Sequence, residues 1–158
     1  MGRPLTIAPN DYRLARDEID GWLGYPNERR ALIIGIDGAD GAGKSSLASW
    51  LGWQLNMATI SLDLFLVPNT GVIKWRSAEL RNVNNTRVAS WSPKPVIVEG
   101  ILLLKALAQI EMTPHRSIWL TNDNFDASDG LAEERAAYES EFDPINKANL
   151  KFRWPKNS

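Results

Sequence analysis

The chain contains no cysteine and a single histidine, His115. Disulfide frameworks and thiolate metal sites are thereby excluded, and a zinc centre or a serine–histidine triad has too few imidazoles to build from. Charge of one sign is lacking too. Lys and Arg number 18 against 19 Asp and Glu, a net charge of −1 without a basic stripe or an acidic tail, which argues against a broad nucleic-acid footprint. Long apolar runs are missing: the stretch 101–110 is interrupted by Lys105, and nothing is long enough to span a bilayer. Residues 1–6 carry no apolar signal core. They fit a loose acylation pattern, and Asn84 to Thr86 a glycosylation sequon, both short enough to arise by chance. The expectation is a cytoplasmic protein with neither a membrane nor a nucleic acid among its partners.

What is present points to one globular unit. A length of 158 residues and 44% hydrophobic content suffice for a real core, so a single domain over 1–158 is expected. Seven tryptophans read mostly as packing residues. No internal repeat or low-complexity tract is visible.

The most specific signal is the segment 31–46, an apolar run followed by a glycine-rich loop and a helical pattern. Gly38, four residues, Gly43, Lys44 and Ser45 match the phosphate-loop spacing. Gly38, Gly41 and Gly43 permit backbone conformations closed to other residues, so that successive N–H groups converge on phosphate oxygens. The helix that follows aims its N-terminus at the same anion. The loop Gly38, Ala39, Asp40, Gly41, Ala42, Gly43, Lys44, Ser45 and Ser46 is therefore the candidate site for the phosphates of ATP. Lys44 reaches the β- and γ-phosphates, and the Ser45 hydroxyl holds a magnesium ion.

Periodicity predicts strands over 30–37, 57–62, 95–99, 116–121 and 148–154, with a further short one over 72–75. It predicts helices over 11–23, 44–56, 77–83, 101–110 and 128–141, the first with an apolar stripe of Leu14, Ile19 and Leu23, the last stopped by Asp143 and Pro144. Alternation of strands and helices implies an α/β fold, a mostly parallel central sheet in a three-layer sandwich. Ligands of such sheets bind beyond the carboxyl ends of the strands. Asp63 and Glu99 each follow a predicted strand and so fall on the edge that carries the loop. A carboxylate there can accept the proton of an attacking hydroxyl, and a second can serve the metal. Asp63 is assigned as the base and Glu99 to the metal or substrate. Asp37 is read only as a residue that shapes the turn.

The segments 34–46, 61–65 (Ser-Leu-Asp-Leu-Phe) and 96–103 (Val-Ile-Val-Glu-Gly-Ile-Leu-Leu) together resemble the uridine kinase, phosphoribulokinase and pantothenate kinase group. The resemblance implies a phosphate-loop NTPase fold and ATP-dependent transfer to a hydroxyl of a small molecule such as a nucleoside, sugar or vitamin. It implies Asp63 as base, Lys44 and Ser45 as phosphate and magnesium residues, and Glu99 as an active-site acid. The segment 64–94 is then the acceptor-binding insertion, with Phe65, Trp75, Arg76 and Arg81 as substrate candidates, and 121–143 a reduced lid and helix. That lid departs from the group, whose members carry an arginine-rich one: Arg135 is the only basic residue between Thr121 and Asp143. Arg135 joins the substrate candidates, and a second copy of the chain is one source of further charge, which makes a homo-oligomer an alternative to a monomer. The thin lid also keeps two rivals open, a nucleotide-binding regulator without transfer and a hydrolytic NTPase acting with a partner protein.

Overall fold

The computed structural model describes residues 9–25, 29, 32–39, 41–67, 74–88, 94–122 and 132–154. Five strands form one sheet: β1 (Ile33–Gly38), β2 (Ala58–Ser61), β3 (Val96–Glu99), β4 (Arg116–Asn122) and β5 (Leu150–Trp154). Their order is β2-β3-β1-β4-β5, and every pairing is parallel. Six helices accompany them among the described residues: α1 (Pro9–Leu23), α2 (Lys44–Leu55), α3 (Ser77–Val88), α4 (Leu103–Ala108), α5 (Ala132–Phe142) and α6 (Pro144–Lys147). None is long and apolar enough to cross a membrane.

The sheet is covered on both faces, which is why its central strands read as unbroken apolar runs. Successive side chains of a strand point to opposite faces. Ile34 and Ile36 of β1, Ile97 of β3 and Ile118 and Leu120 of β4 pack in one core with α1 and α2. Ile33, Val96 and Val98 belong to a second core with α4 and Tyr138 of α5. The parity places Asp37 on the second face and Glu99 on the first.

Several boundaries differ from expectation for identifiable reasons. The apolar stripe of α1 is Tyr12, Ala15, Ile19 and Leu23, and Leu14 is 52% exposed. The spacing of three, four and four keeps that stripe on one side of a helix, whereas Leu14 lies a residue off it. Helix α3 runs to Val88 because neither Gly nor Pro interrupts 77–88. Helix α4 begins only at Leu103, since Leu102 takes a left-handed conformation with φ 52° and holds Ile101 and itself outside the helix. Of the short strand predicted over 72–75, Trp75 pairs in an isolated antiparallel bridge with Leu66, and 72–73 lie outside the described residues. The expected start of α5 at 128 also lies outside them. Asp143 ends α5, and Pro144 opens α6.

Candidate active site

Gly38 closes β1 and opens the loop. A side chain there is excluded on two counts: its φ is 149°, and a Cβ would stand 2.4 Å from the Leu120 carbonyl oxygen of β4. The loop is thus pressed against the neighbouring strand at its first residue. At its end Gly43 takes φ 94° and hands the chain to α2. The first-turn N–H groups of α2 have no partner within the helix, so they and the helix dipole face the loop.

Lys44, the first residue of α2, is only 7% exposed. Its Nζ donates to the Ala39 carbonyl at 2.7 Å, which folds the ammonium back across the loop. Ser45 Oγ donates to Glu99 Oε2 at 3.0 Å. Glu99, 2% exposed, ends β3 on the face that looks toward α2. A hydroxyl that donates its proton keeps two acceptor lone pairs, so the contact with Glu99 leaves Ser45 able to bind a cation. Ser45 and Glu99 are hard oxygen donors of the kind magnesium prefers. Among the described residues no three His, Cys, Asp or Glu side chains gather to form a metal cage.

Asp63 stands in a single 3-10 turn, Leu62–Phe65, that continues directly from β2. Ser61 pairs with Glu99 in the sheet, so Asp63 and Glu99 leave adjoining strands at the same edge. The turn is seated on Gly100: a Cβ on that glycine would meet Leu62 Cβ at 2.6 Å. The Glu-Gly pair thus has a physical basis, an acid for the site and a bare backbone for the turn bearing Asp63. Asp63 is exposed.

Asp37 does far more than shape a turn. It is buried, and its Oδ1 accepts the Gly38 N–H at 2.8 Å. Its Oδ2 accepts the Tyr138 hydroxyl in a short hydrogen bond, and the Tyr138 oxygen accepts the Leu104 N–H at 2.9 Å. Burial pushes the Asp37 carboxyl up to about 6, while the hydrogen bonds from Tyr138, Gly38 and Leu103 and the Lys44 charge pull the other way. Burial and the Asp37 charge raise the Tyr138 phenol well above its ordinary range. The sequence holds a partial signal for this pair. An aspartate inside an apolar strand needs donors, but nothing in the pattern of 128–141 marks Tyr138, 101 positions away, as the one that supplies them.

A cavity of about 310 Å³ begins at Asp37, Gly38 and Ala39. Ile101, Leu102 and Trp119 give it apolar walls, and α5 adds Arg135 and Glu139. Arg135 is therefore brought to the loop. Trp75 is not: it is 5% exposed and packed in the second core with Leu62 and Leu80. Arg81 makes a long 3.5 Å contact to the Gln109 carbonyl, at the end of α4 remote from Glu99. Arg76 is exposed and Phe65 half-buried beside Asp63. Ala42 is buried, Gly41 and Ser46 are exposed, and Asp40 lies outside the described residues.

No family model and no curated protein matches the sequence. Solved structures do match. A possible uridine kinase from Bacillus stearothermophilus superposes with a TM-score of 0.65 at 15% identity, over 90% of this chain and 99% of that one. The two chains share one α/β architecture. TT1252 from Thermus thermophilus gives 0.50 at 18% identity over 82% and 91% of the two chains. An uncharacterized protein from Eubacterium ventriosum gives 0.50 at 13% over 77% and 87%. At such identities the likeness speaks to architecture alone.

Proposed function

We propose that the chain is an ATP-dependent phosphotransferase that moves the γ-phosphoryl group to a hydroxyl of a small molecule. The observation that carries this reading is the gathering of phosphate loop, Ser45–Glu99 pair, Asp63 and a ligand-sized cavity at the carboxyl ends of adjoining parallel strands. Likeness in fold to the possible uridine kinase from Bacillus stearothermophilus supports it.

Phosphoryl transfer asks a protein mainly for positioning and for positive charge around the migrating group. The loop N–H groups and the α2 terminus hold the phosphates, with Lys44 exchanging the Ala39 carbonyl for a phosphate oxygen. Ser45, oriented by Glu99, would hold magnesium, which when bound offsets phosphate charge. Arg135 adds a second cation from α5. Asp63 takes the proton of the acceptor hydroxyl. The acceptor is placed beside Asp63 and Glu99; neither carboxylate lines the cavity of Ala39, Ile101 and Arg135, which borders the loop on its other side.

The test is a panel of nucleosides, sugars and vitamin-like alcohols incubated with protein, magnesium and ATP. Transfer is expected to at least one acceptor, and Asp63→Asn is expected to keep nucleotide affinity within about twofold while slowing transfer by about 10²–10⁴. Full transfer by Asp63→Asn would remove the base assignment. Nucleotide binding with no turnover would favour the regulator, and ATP consumption with no acceptor the hydrolytic NTPase.

A further inference from the structure

A second cavity, of about 260 Å³, lies against the same sheet face but at the opposite end of β4. It begins at Arg116 and Ser117, where β4 starts, whereas the first touches Trp119, Leu120 and Thr121 near its finish. The two share no lining residue. Between them stands the contact of α4 with α5, where the Tyr138 oxygen accepts the Leu104 N–H and the Tyr138 and Phe142 rings lie 5.4 Å apart.

Half-buried Leu104 and Phe142 give the second cavity an apolar wall, and exposed Ala108, His115, Arg116 and Lys147 border it. Among the described residues no aspartate or glutamate lines it, although acids outnumber bases 19 to 18 in the whole chain. Several of the polar groups around it can donate. His115 Nδ1 accepts the Ile33 N–H at 2.9 Å, which fixes the tautomer and leaves Nε2–H to donate. Arg116 borders the cavity too, but its guanidinium, held by the His115 carbonyl at 3.0 Å and 6.0 Å from the Trp22 ring of α1, turns toward the other face of the sheet and leaves Lys147 as the cation beside the cavity. Asn149 spends its carbonyl oxygen on the Ser117 N–H at 2.9 Å and keeps its amide N–H groups for donation. Asp143, at the start of α6, accepts from Asn146 at 3.0 and 3.2 Å.

A cation, Lys147, and donors from His115 and Asn149 beside an apolar wall suit a ligand that is charged at one end only. We propose that this cavity binds a small organic anion, a carboxylate or phosphate monoester on a compact apolar body. It is a site separate from the phosphate loop.

Titration of the full chain with benzoate, phenyl phosphate and neutral benzamide, followed by amide chemical shifts, tests it without any turnover, so its outcome is independent of the transfer reading. Saturable shifts at 113–117 and 147–149 are expected with one or both anions. Benzamide is expected to bind about tenfold more weakly or worse. Lys147→Glu, at an exposed position, should weaken the anions by a similar factor and leave benzamide unchanged, and Ala108→Trp, a bulky side chain at a lining position, should obstruct all three. Binding to benzoate alone would mark a carboxylate site, and to phenyl phosphate alone a phosphate site. Absence of saturable binding, equal binding of benzamide, shifts confined to 38–46, or indifference to both substitutions would each overturn the proposal.

Discussion

Asp37 pairs a buried carboxyl with the first glycine of the phosphate loop, and the pairing has a pH signature. Its folded-state value of about 6 lies above the ordinary 3.8. The folded protein therefore binds this proton more tightly than the unfolded chain does. The associated stability is fully present below 3.8 and is lost as the pH rises through 6. The difference corresponds to about 3 kcal/mol. Asp37→Asn keeps an oxygen acceptor and removes the titration. Denaturant unfolding should thus show the variant gaining on the wild type by about 2–3 kcal/mol between about pH 4 and pH 8. A gap that does not change with pH would mean an ordinary carboxyl. Gly100 offers a second test at this scale. In Gly100→Ala the new methyl meets Leu62 Cβ, not the end of a flexible chain, so the turn bearing Asp63 must move. A loss of about 1–3 kcal/mol in stability is expected. Transfer should fall more than nucleotide affinity does, read by comparing kcat with a nucleotide titration.

Elements differ in how much of them can be read before folding. The strands that carry the loop and Glu99 were legible because a sheet covered on both faces needs unbroken apolar runs, and 32–36 and 96–98 are such runs. The ends of β2 and β3 put Asp63 and Glu99 on one edge, since parallel strands share their carboxyl end. The role of α5 was not legible. Its sequence is polar, with one fully inward residue, Tyr138, and the partners of that residue lie on β1 and α4. Contacts of that separation depend on topology, which no local period encodes. The same holds for Trp75: its place in the core depends on α3 folding back beside Leu62. Tyr138→Phe measures what α5 contributes. It strips one donor from buried Asp37, which keeps those of Gly38 and Leu103, and the acceptor from the Leu104 N–H, at a cost of about 1–3 kcal/mol. Hydrogen exchange should show the Leu104 amide losing protection by more than the global change explains.

At the scale of the molecule the loop joins the two cores. It leaves β1 between them, returns along α2 into the first, and borders the cavity roofed by α5 on the second face. A ligand that fills the loop should therefore stabilise the whole fold, not one helix. Any ligand that binds only the native state adds RT ln(1 + [L]/Kd), about 2.7 kcal/mol at a hundredfold excess over Kd. For a domain of this size that is a rise in Tm of roughly 5–10 °C. Magnesium with ATP is expected to produce it, and thermal unfolding reads it directly. Lys44→Ala should abolish the rise, because the ammonium is the one side-chain cation that the loop itself contributes. In the absence of nucleotide the same variant should melt at or above the wild-type temperature. Lys44 is buried and its ammonium donates to a backbone carbonyl, and taking a charge out of water is costly. A variant that is no less stable yet unresponsive to ATP separates binding from folding. A wild-type Tm unmoved by saturating ATP and magnesium would remove the nucleotide reading at its base, and a rise retained in Lys44→Ala would place that nucleotide somewhere other than the loop.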